Sequence, residues 1–328
     1  MKQYIFFKLR NNDNFLYQIN ELIIDGKILE PCTKYKFYKE GKHKVYFKMN
    51  ITNITSLNNL FHQIYNVTSI SFSSLFNTEN ITRMESMFSR CLMLSSLDIS
   101  QLKTENVIHM FGMFSNLESL KSIDLTHLNF KNVEDMTGLF MYSKGITFIN
   151  ISNVNADNLW SLLHAFHGCE SLTTLDLSNF NAPKLMTLQS TFEECFSLKT
   201  LNLTNFNAPS LSLMIQTFKD CTSLISIDLS SFNTINSMSL NRMFYNCESL
   251  TYVNLKNFNL TIRSDEIFYD CPNITFIDIS SFRAEESSTY INLFNSLPPK
   301  GEIIVHSSLI DKIRQQIPEG WVKHIIEY

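Results

Sequence analysis

Cys169, Cys195, Cys221 and Cys247 stand 26 residues apart, and Cys271 follows after 24. Each lies three residues after a phenylalanine (Phe166, Phe192, Phe218, Phe244 and Phe268), and Cys91 keeps the same relation to Phe88. A cysteine that stays in step with a phenylalanine is a repeat position rather than half of a disulfide framework. Self-similarity with a period of about 20–50 residues requires a fold built by stacking equivalent units, a solenoid or a propeller. The phenylalanine register extends through residues 61, 88, 114, 140, 166, 192, 218, 244, 268 and 294, which gives ten turns.

Each turn carries two hydrophobic patterns. After the anchor phenylalanine come segments such as SLTTLDLSNFNAP (171–183), SLKTLNLTNFNAP (197–209) and SLISIDLSSFNT (223–234). Leu175 and Leu177 flank Asp176, the alternation of a strand with one buried face. Before the anchor, Leu185, Leu188, Phe192 and Cys195 are spaced as one stripe of a short helix, as are Val107, Met110 and Phe114. The sequence therefore predicts strand, loop and helix in every turn. A 26-residue unit cannot bury its own apolar positions, whereas stacked copies can. The expected fold class is α/β: a solenoid with a parallel sheet of about ten rungs, short helices on the opposite side, and a length of about 50 Å at ~4.8 Å per rung. Asn129, Asn155, Asn181, Asn207, Asn233 and Asn259 share one position and predict a ladder of amides that satisfies backbone groups at the strand ends.

Residues 1–50 lie outside the repeat. YIFFKL (4–9), ELIIDGKIL (21–29), KYKFY (34–38) and KVYFKM (44–49) read as strands, with turn signals at Asp25-Gly26 and Glu40-Gly41. The domains expected are a small β-rich N-terminal domain or cap over 1–50, the solenoid over 51–297, and a cap over 298–328. In the last segment EIIVH (302–306) is a strand, a helix runs from about Ser308 to Gln316 over the open core, and Trp321 packs beneath it.

The repeat, written FxxCxSLxxLDLSxFN, resembles the BspA-like class of leucine-rich repeat, which is common in microbial and protist surface proteins. The likeness covers roughly residues 55–297 and includes the terminator EIIVH followed by SSLIDKIRQQIPEGW. It implies a leucine-rich-repeat solenoid with a role in adhesion or protein recognition, and no enzyme.

The residues point the same way. Only 8 glycines occur in 328 residues, and no GxGxxG, GxxxxGK[ST] or GxSxG is present, so the common nucleotide-binding and hydrolase signatures are missing. The net charge of -4 favours no nucleic-acid partner. It conceals a split: residues 1–50 hold ten basic and five acidic side chains, and residues 51–297 hold 13 and 22. The basic KEGKHK turn (39–44) fits an acidic partner or membrane surface, or a lysine-blunted edge strand. No apolar run reaches the ~20 residues of a membrane span, and no signal-peptide core is visible. With six cysteines in a column of free thiols, this favours a cytoplasmic or intracellular setting, the cell surface being the alternative.

The best candidate surface is the residue between the two core positions of each strand: Asp98, Asp124, Asn150, Asp176, Asn202, Asp228, Asn254 and Asp278. An unbroken aspartate column would cost about 3 kcal/mol per neighbouring pair at an effective dielectric of about 20. The interleaved asparagines relieve it and leave a polar, weakly acidic concave strip, suited to a basic or hydroxyl-rich protein partner. The same residues serve equally as repeat-imposed groups that satisfy one another, and they are too dispersed to cage calcium. His164, His167 and Cys169 have the spacing of a compact ligand set, but Cys169 is the repeat cysteine and the histidine positions vary among turns. The reading is therefore no metal and no cofactor. The function expected is a protein-interaction module or scaffold, with a cell-surface adhesin or a structural component of a larger assembly as alternatives.

Overall fold

In the computed structural model the described residues are 6–8, 19–30, 32, 34–36, 41–232, 239–258, 265–283, 293–294 and 296–327. Five strands precede the repeats: β1 (Phe6–Lys8), β2 (Ile19–Ile24), β3 (Lys27–Leu29), β4 (Lys34–Lys36) and β5 (Val45–Met49). β2 pairs antiparallel with both β3 and β5, and β1 pairs antiparallel with β4. The β2–β3 hairpin turns at Asp25 (φ 50°) and Gly26 (φ 81°), both left-handed as a two-residue primed turn requires. Asp25 holds the next strand too, accepting from the Lys44 N–H at 2.9 Å and pairing with His43 at 2.6 Å. Leu22 and Ile24 are buried in the same hydrophobic cluster as the repeats, and the Phe47 and Phe61 rings meet at 6.0 Å. Glu40 of the expected second turn, and the ends of the segments 4–9 and 34–38, lie outside the described residues.

Nine short strands then follow, one per turn: β6 (Ser69–Ser71), β7 (Ser96–Asp98), β8 (Ser122–Asp124), β9 (Phe148–Asn150), β10 (Thr174–Asp176), β11 (Thr200–Asn202), β12 (Ser226–Asp228), β13 (Tyr252–Asn254) and β14 (Phe276–Ile279). Wherever they pair they are parallel and in the register of the sequence repeat, Asp176 beside Asn202 and Asn254 beside Asp278. A second parallel ladder of single bridges runs from Ser56 through Arg83, His109, Asp135, Ser161, Thr187 and Leu213 to Ser239. The chain is a solenoid of leucine-rich repeats. It ends in the expected cap: β15 (Gly301–His306) adds parallel to β14, and α1 (Ser307–Ile313) runs into a 3-10 turn, Arg314–Gln316. β16 (Trp321–Ile326), which the sequence reading did not foresee, adds parallel to β15. Trp321 is buried, with its indole N–H donating to the Pro298 carbonyl at 2.8 Å.

The expected helix in each turn is the main correction. Among the described residues α1 is the α-helix, and the segment around each anchor phenylalanine is a run of tight turns. Two residues per turn, two before and two after the anchor, sit in the left-handed region: Ser86 and Arg90, Gly112 and Asn116, His164 and Gly168, Ser190 and Glu194, Arg242 and Asn246. That alternation breaks the helix and splits the backbone donors. The N–H groups of Met84, Ser86, Phe88 and Arg90 donate to carbonyls of the following turn, at His109, Phe111, Met113 and Ser115. Those of Met87, Ser89 and Cys91 close back three residues within their own turn. A helix satisfies its N–H groups internally, whereas here every second one stitches two turns together. The residues assigned to the helical stripe are nonetheless buried, Leu185, Leu188, Phe192 and Cys195 among them.

Three columns run through the core. The anchor rings stack continuously from Phe61 to Phe294, neighbouring centroids lying 5.1–5.8 Å apart. A second stack joins Phe180, Phe206, Phe232 and Phe258. The repeat cysteines form the third. Each thiol donates to the carbonyl of the anchor phenylalanine one turn earlier, as Cys195 does to Phe166 at 3.2 Å and Cys221 to Phe192 at 3.1 Å. Ser143 takes the cysteine position in its turn and makes the same bond, donating to Phe114 at 2.6 Å, whereas Leu117 fills the position in the turn before.

The asparagine ladder is present at three of its four described positions, with the amides bonded to one another rather than to strand-end backbone groups. Asn181 donates to Asn155 at 2.8 Å and Asn207 to Asn181 at 2.7 Å. Asn129 instead accepts from the Lys131 N–H, and Asn233 and Asn259 lie outside the described residues. A second ladder stands two residues earlier. Asn179 donates to Asn153 and Asn205 to Asn179, both at 2.9 Å, and all three are in the left-handed region that asparagine tolerates.

Candidate functional site

The outward column of the strands is built by one local device. At seven of the eight positions, all but Asn150, the Oδ1 of the Asp or Asn accepts the N–H two residues on and turns the chain out of the sheet. Asp98 holds Ser100 at 3.0 Å, Asp124 holds Thr126 at 2.9 Å, and Asp176 holds Ser178 at 2.8 Å. Asn202, Asp228, Asn254 and Asp278 do the same for Thr204, Ser230, Lys256 and Ser280. This bond needs one oxygen, which both side chains possess, so charge at the position varies without cost to the turn.

The eight candidates are not equally placed. Asp98, Asp124, Asp176, Asn202 and Asp228 are exposed, and Asn150 and Asn254 are half-buried. Asp278 departs from the expectation of an outward polar strip: it is 6% exposed, because its strand neighbour is Ile304 of the cap strand rather than another open turn. The accessible strip therefore stops at Asn254, whose amide donates to the second oxygen of Asp228 at 3.3 Å. Hydrogen bonds from Ser100, side chain and backbone, hold the Asp98 carboxyl below its ordinary value, and those of Thr126 do so for Asp124.

An open groove of about 770 Å³ lies on this face between the turns of Phe148 and Ser231. Its floor carries Asp176, Asn202 and Asp228, and beside them a column the sequence reading did not single out: Phe148, Thr174, Thr200 and Ser226. That column continues into Tyr252 and Phe276, stacked at 4.8 Å. The available signal was the residue at the first strand position, hydroxylic in most turns and aromatic at Phe148, Tyr252 and Phe276.

The other candidates separate. Cys169 is not a ligand, since its thiol lies in the core and donates to Phe140 at 3.3 Å. Burial pushes the thiols of Cys91, Cys195 and Cys271 up to about 12, which keeps them protonated at neutral pH. His164 and His167 lie on the turn side and meet Glu193 of the next turn. Among the described residues no helix is long and apolar enough to cross a membrane.

The family described as "Mycoplasma protein of unknown function, DUF285" matches residues 34–154 and 160–282. The chain belongs to the DUF285 family. No curated protein matches this DUF285 chain in sequence. Among solved structures it is similar to the TLR13–ssRNA13 complex, with 15% identity and a TM-score of 0.31 over 76% of this chain and 47% of that one. It is also similar to the Drosophila Toll–Spatzle complex, with 17% identity and a TM-score of 0.33 over 76% and 38%. The DUF285 chain thus spans less than half the length of either neighbour.

Proposed function

We propose that this DUF285 protein is a non-enzymatic interaction scaffold of the BspA-like repeat type, which binds a basic or hydroxyl-rich protein segment along its strand face. The observation that carries the reading is the division of labour in each exposed aspartate. Oδ1 builds the turn, and that bond does not require the carboxylate's charge, since Asn202 and Asn254 make it as well. The carboxylates of Asp176 and Asp228 stand along a groove floored by threonine and serine hydroxyls, and those of Asp98 and Asp124 are exposed on the same strand face outside it. An extended polypeptide fits such a surface, with lysine or arginine against the carboxylates and backbone amides against the hydroxyls.

The same device supplies the test. Asp98→Asn, Asp124→Asn, Asp176→Asn and Asp228→Asn together keep every strand-end turn and remove four charges. Partners captured by the wild-type protein from its source cells, identified by mass spectrometry, are expected to bind the quadruple variant at least about tenfold more weakly, with a shallower salt dependence. Partner affinity and salt dependence that are unchanged in the variant contradict the reading.

A further inference from the structure

The position one residue past the anchor phenylalanine reads Ser89, Ser115, Met141, His167, Glu193, Lys219 in successive turns, and the position two before it reads Ser86, Gly112, Gly138, His164, Ser190. Serine or glycine satisfies the fold at these places, so the histidines are not imposed by the repeat. We infer that His164 and His167 of one turn and Glu193 of the next form a binding site for a single zinc-like divalent transition-metal ion.

One ligand atom from each of the three side chains lies within 4.8 Å of the other two. His167 and Glu193 are 7% and 8% exposed. Nδ1 of His164 and Nδ1 of His167 are both shut off from water without a hydrogen-bond partner. His167 Nδ1 is 3.6 Å from Glu193 Oε2, too far for a hydrogen bond. Its other nitrogen, Nε2, lies 3.0 Å from the Tyr142 hydroxyl. A proton on Nε2, donated to that phenol oxygen, leaves the Nδ1 lone pair facing the carboxylate and the second imidazole, as a metal-binding histidine with an outer partner requires. Electron-pair donors that converge in a water-poor pocket are brought together by a cation.

The surroundings are arranged around this trio. Gly168 has a left-handed backbone (φ 69°), and a Cβ there would stand 2.5 Å from the Tyr142 ring, so this glycine makes room for the tyrosine that positions His167. Lys219 takes the other oxygen of Glu193 at 2.7 Å and Asp220 at 3.0 Å, leaving Oε2 directed at the histidines. Glu194 approaches His167 Nε2 to 4.0 Å. Three carboxylates against one ammonium leave two negative charges, which a divalent ion cancels. Two imidazoles and a carboxylate suit zinc and its neighbours rather than calcium or magnesium. Bonds of about 2.0–2.1 Å place tetrahedral ligand atoms roughly 3.4 Å apart, so the side chains close by about an ångström on binding. The fourth position stays open to water or to a group from a partner.

The test is a calorimetric titration of the full, chelator-dialysed chain with zinc chloride, with cobalt(II) absorption as a readout of coordination geometry. One equivalent of zinc is expected, together with visible cobalt bands of four- or five-coordinate intensity. His164→Ser with His167→Ser places at both positions the residue that sister turns carry, and is expected to keep the fold. Removing a mere outer-shell partner costs 10–100-fold, so loss of two ligands is expected to weaken binding by more than about 100-fold. Should that variant unfold, the isosteric Glu193→Gln carries the test, with binding at least about tenfold weaker. The proposal is overturned if the wild-type protein binds no stoichiometric zinc, or if the variants bind it as the wild type does, which would place the metal elsewhere, for instance at Cys32.

Discussion

At the scale of single residues, the chain uses the same side-chain chemistry many times and varies what the fold leaves free. The cysteine column shows the constraint. Cysteine and serine both donate to the carbonyl of the preceding anchor, and Leu117 fills the same buried position with an apolar side chain. Native protein is accordingly expected to react with a thiol reagent at pH 8 at no more than one of its seven cysteines, the half-buried Cys32, and at all seven once unfolded. Rapid modification of the repeat cysteines in the folded state would contradict their burial. The strand-end aspartates show the freedom. Because hydrogen bonds lower the carboxyl pKa of Asp98 and Asp124 from 3.8, the stability they contribute is complete above that value and is lost as pH falls through the lower folded-state pKa. Melting temperatures measured between about pH 6 and pH 2 should fall at the acid end. The fall should be smaller for Asp124→Asn, which keeps the turn and has no proton to gain.

At the scale of elements, burial was legible in the sequence and conformation was only half legible. The strands read correctly because alternation around Asp176 has a single structural meaning. The segment before each anchor did not. Leu185, Leu188 and Phe192 carry helical spacing and are buried, but a turn that rises by one rung and donates alternate N–H groups to its neighbour buries the same positions without helical backbone. What betrays it is composition at the left-handed sites, filled by serine, asparagine, glycine and charged residues, and that is too degenerate to read in one turn. The register is set by the anchor stack. Phe192 lies between Phe166 and Phe218 at 5.5 and 5.4 Å with nearly parallel rings. Phe192→Ala is expected to cost about 3–5 kcal/mol in denaturant unfolding. Phe196→Ala, on a half-exposed side chain four residues later, should cost less than about 0.5 kcal/mol. Equal costs for the two would mean that the stack does not hold the turns.

At the scale of the whole molecule, the periodicity of cysteine and phenylalanine carried most of what was legible: a solenoid of stacked turns and a cap of strand and helix at the C-terminal side, although ten turns were expected and nine repeat strands, β6–β14, precede the cap strand β15. The final strand β16 escaped because WVKHII lacks the repeat pattern and its pairing with β15 is a long-range fact. The candidate strip was legible as a column and only partly as a surface, since the burial of Asp278 depends on the cap strand beside it. The metal-binding trio was half visible. His164 and His167 stood out, but the partner suggested by spacing was Cys169, whereas the coil of the solenoid brings Glu193 from a full turn away. Stability in such a stack is a sum over turns and their interfaces, and here those interfaces are backbone bonds between turn segments rather than contacts between helices. The most direct test of this is far-UV circular dichroism of the intact protein. A spectrum dominated by strand and turn is expected, with helical signal no greater than the short α1 supplies. Strong paired helical minima, as from a helix in every turn, would contradict it.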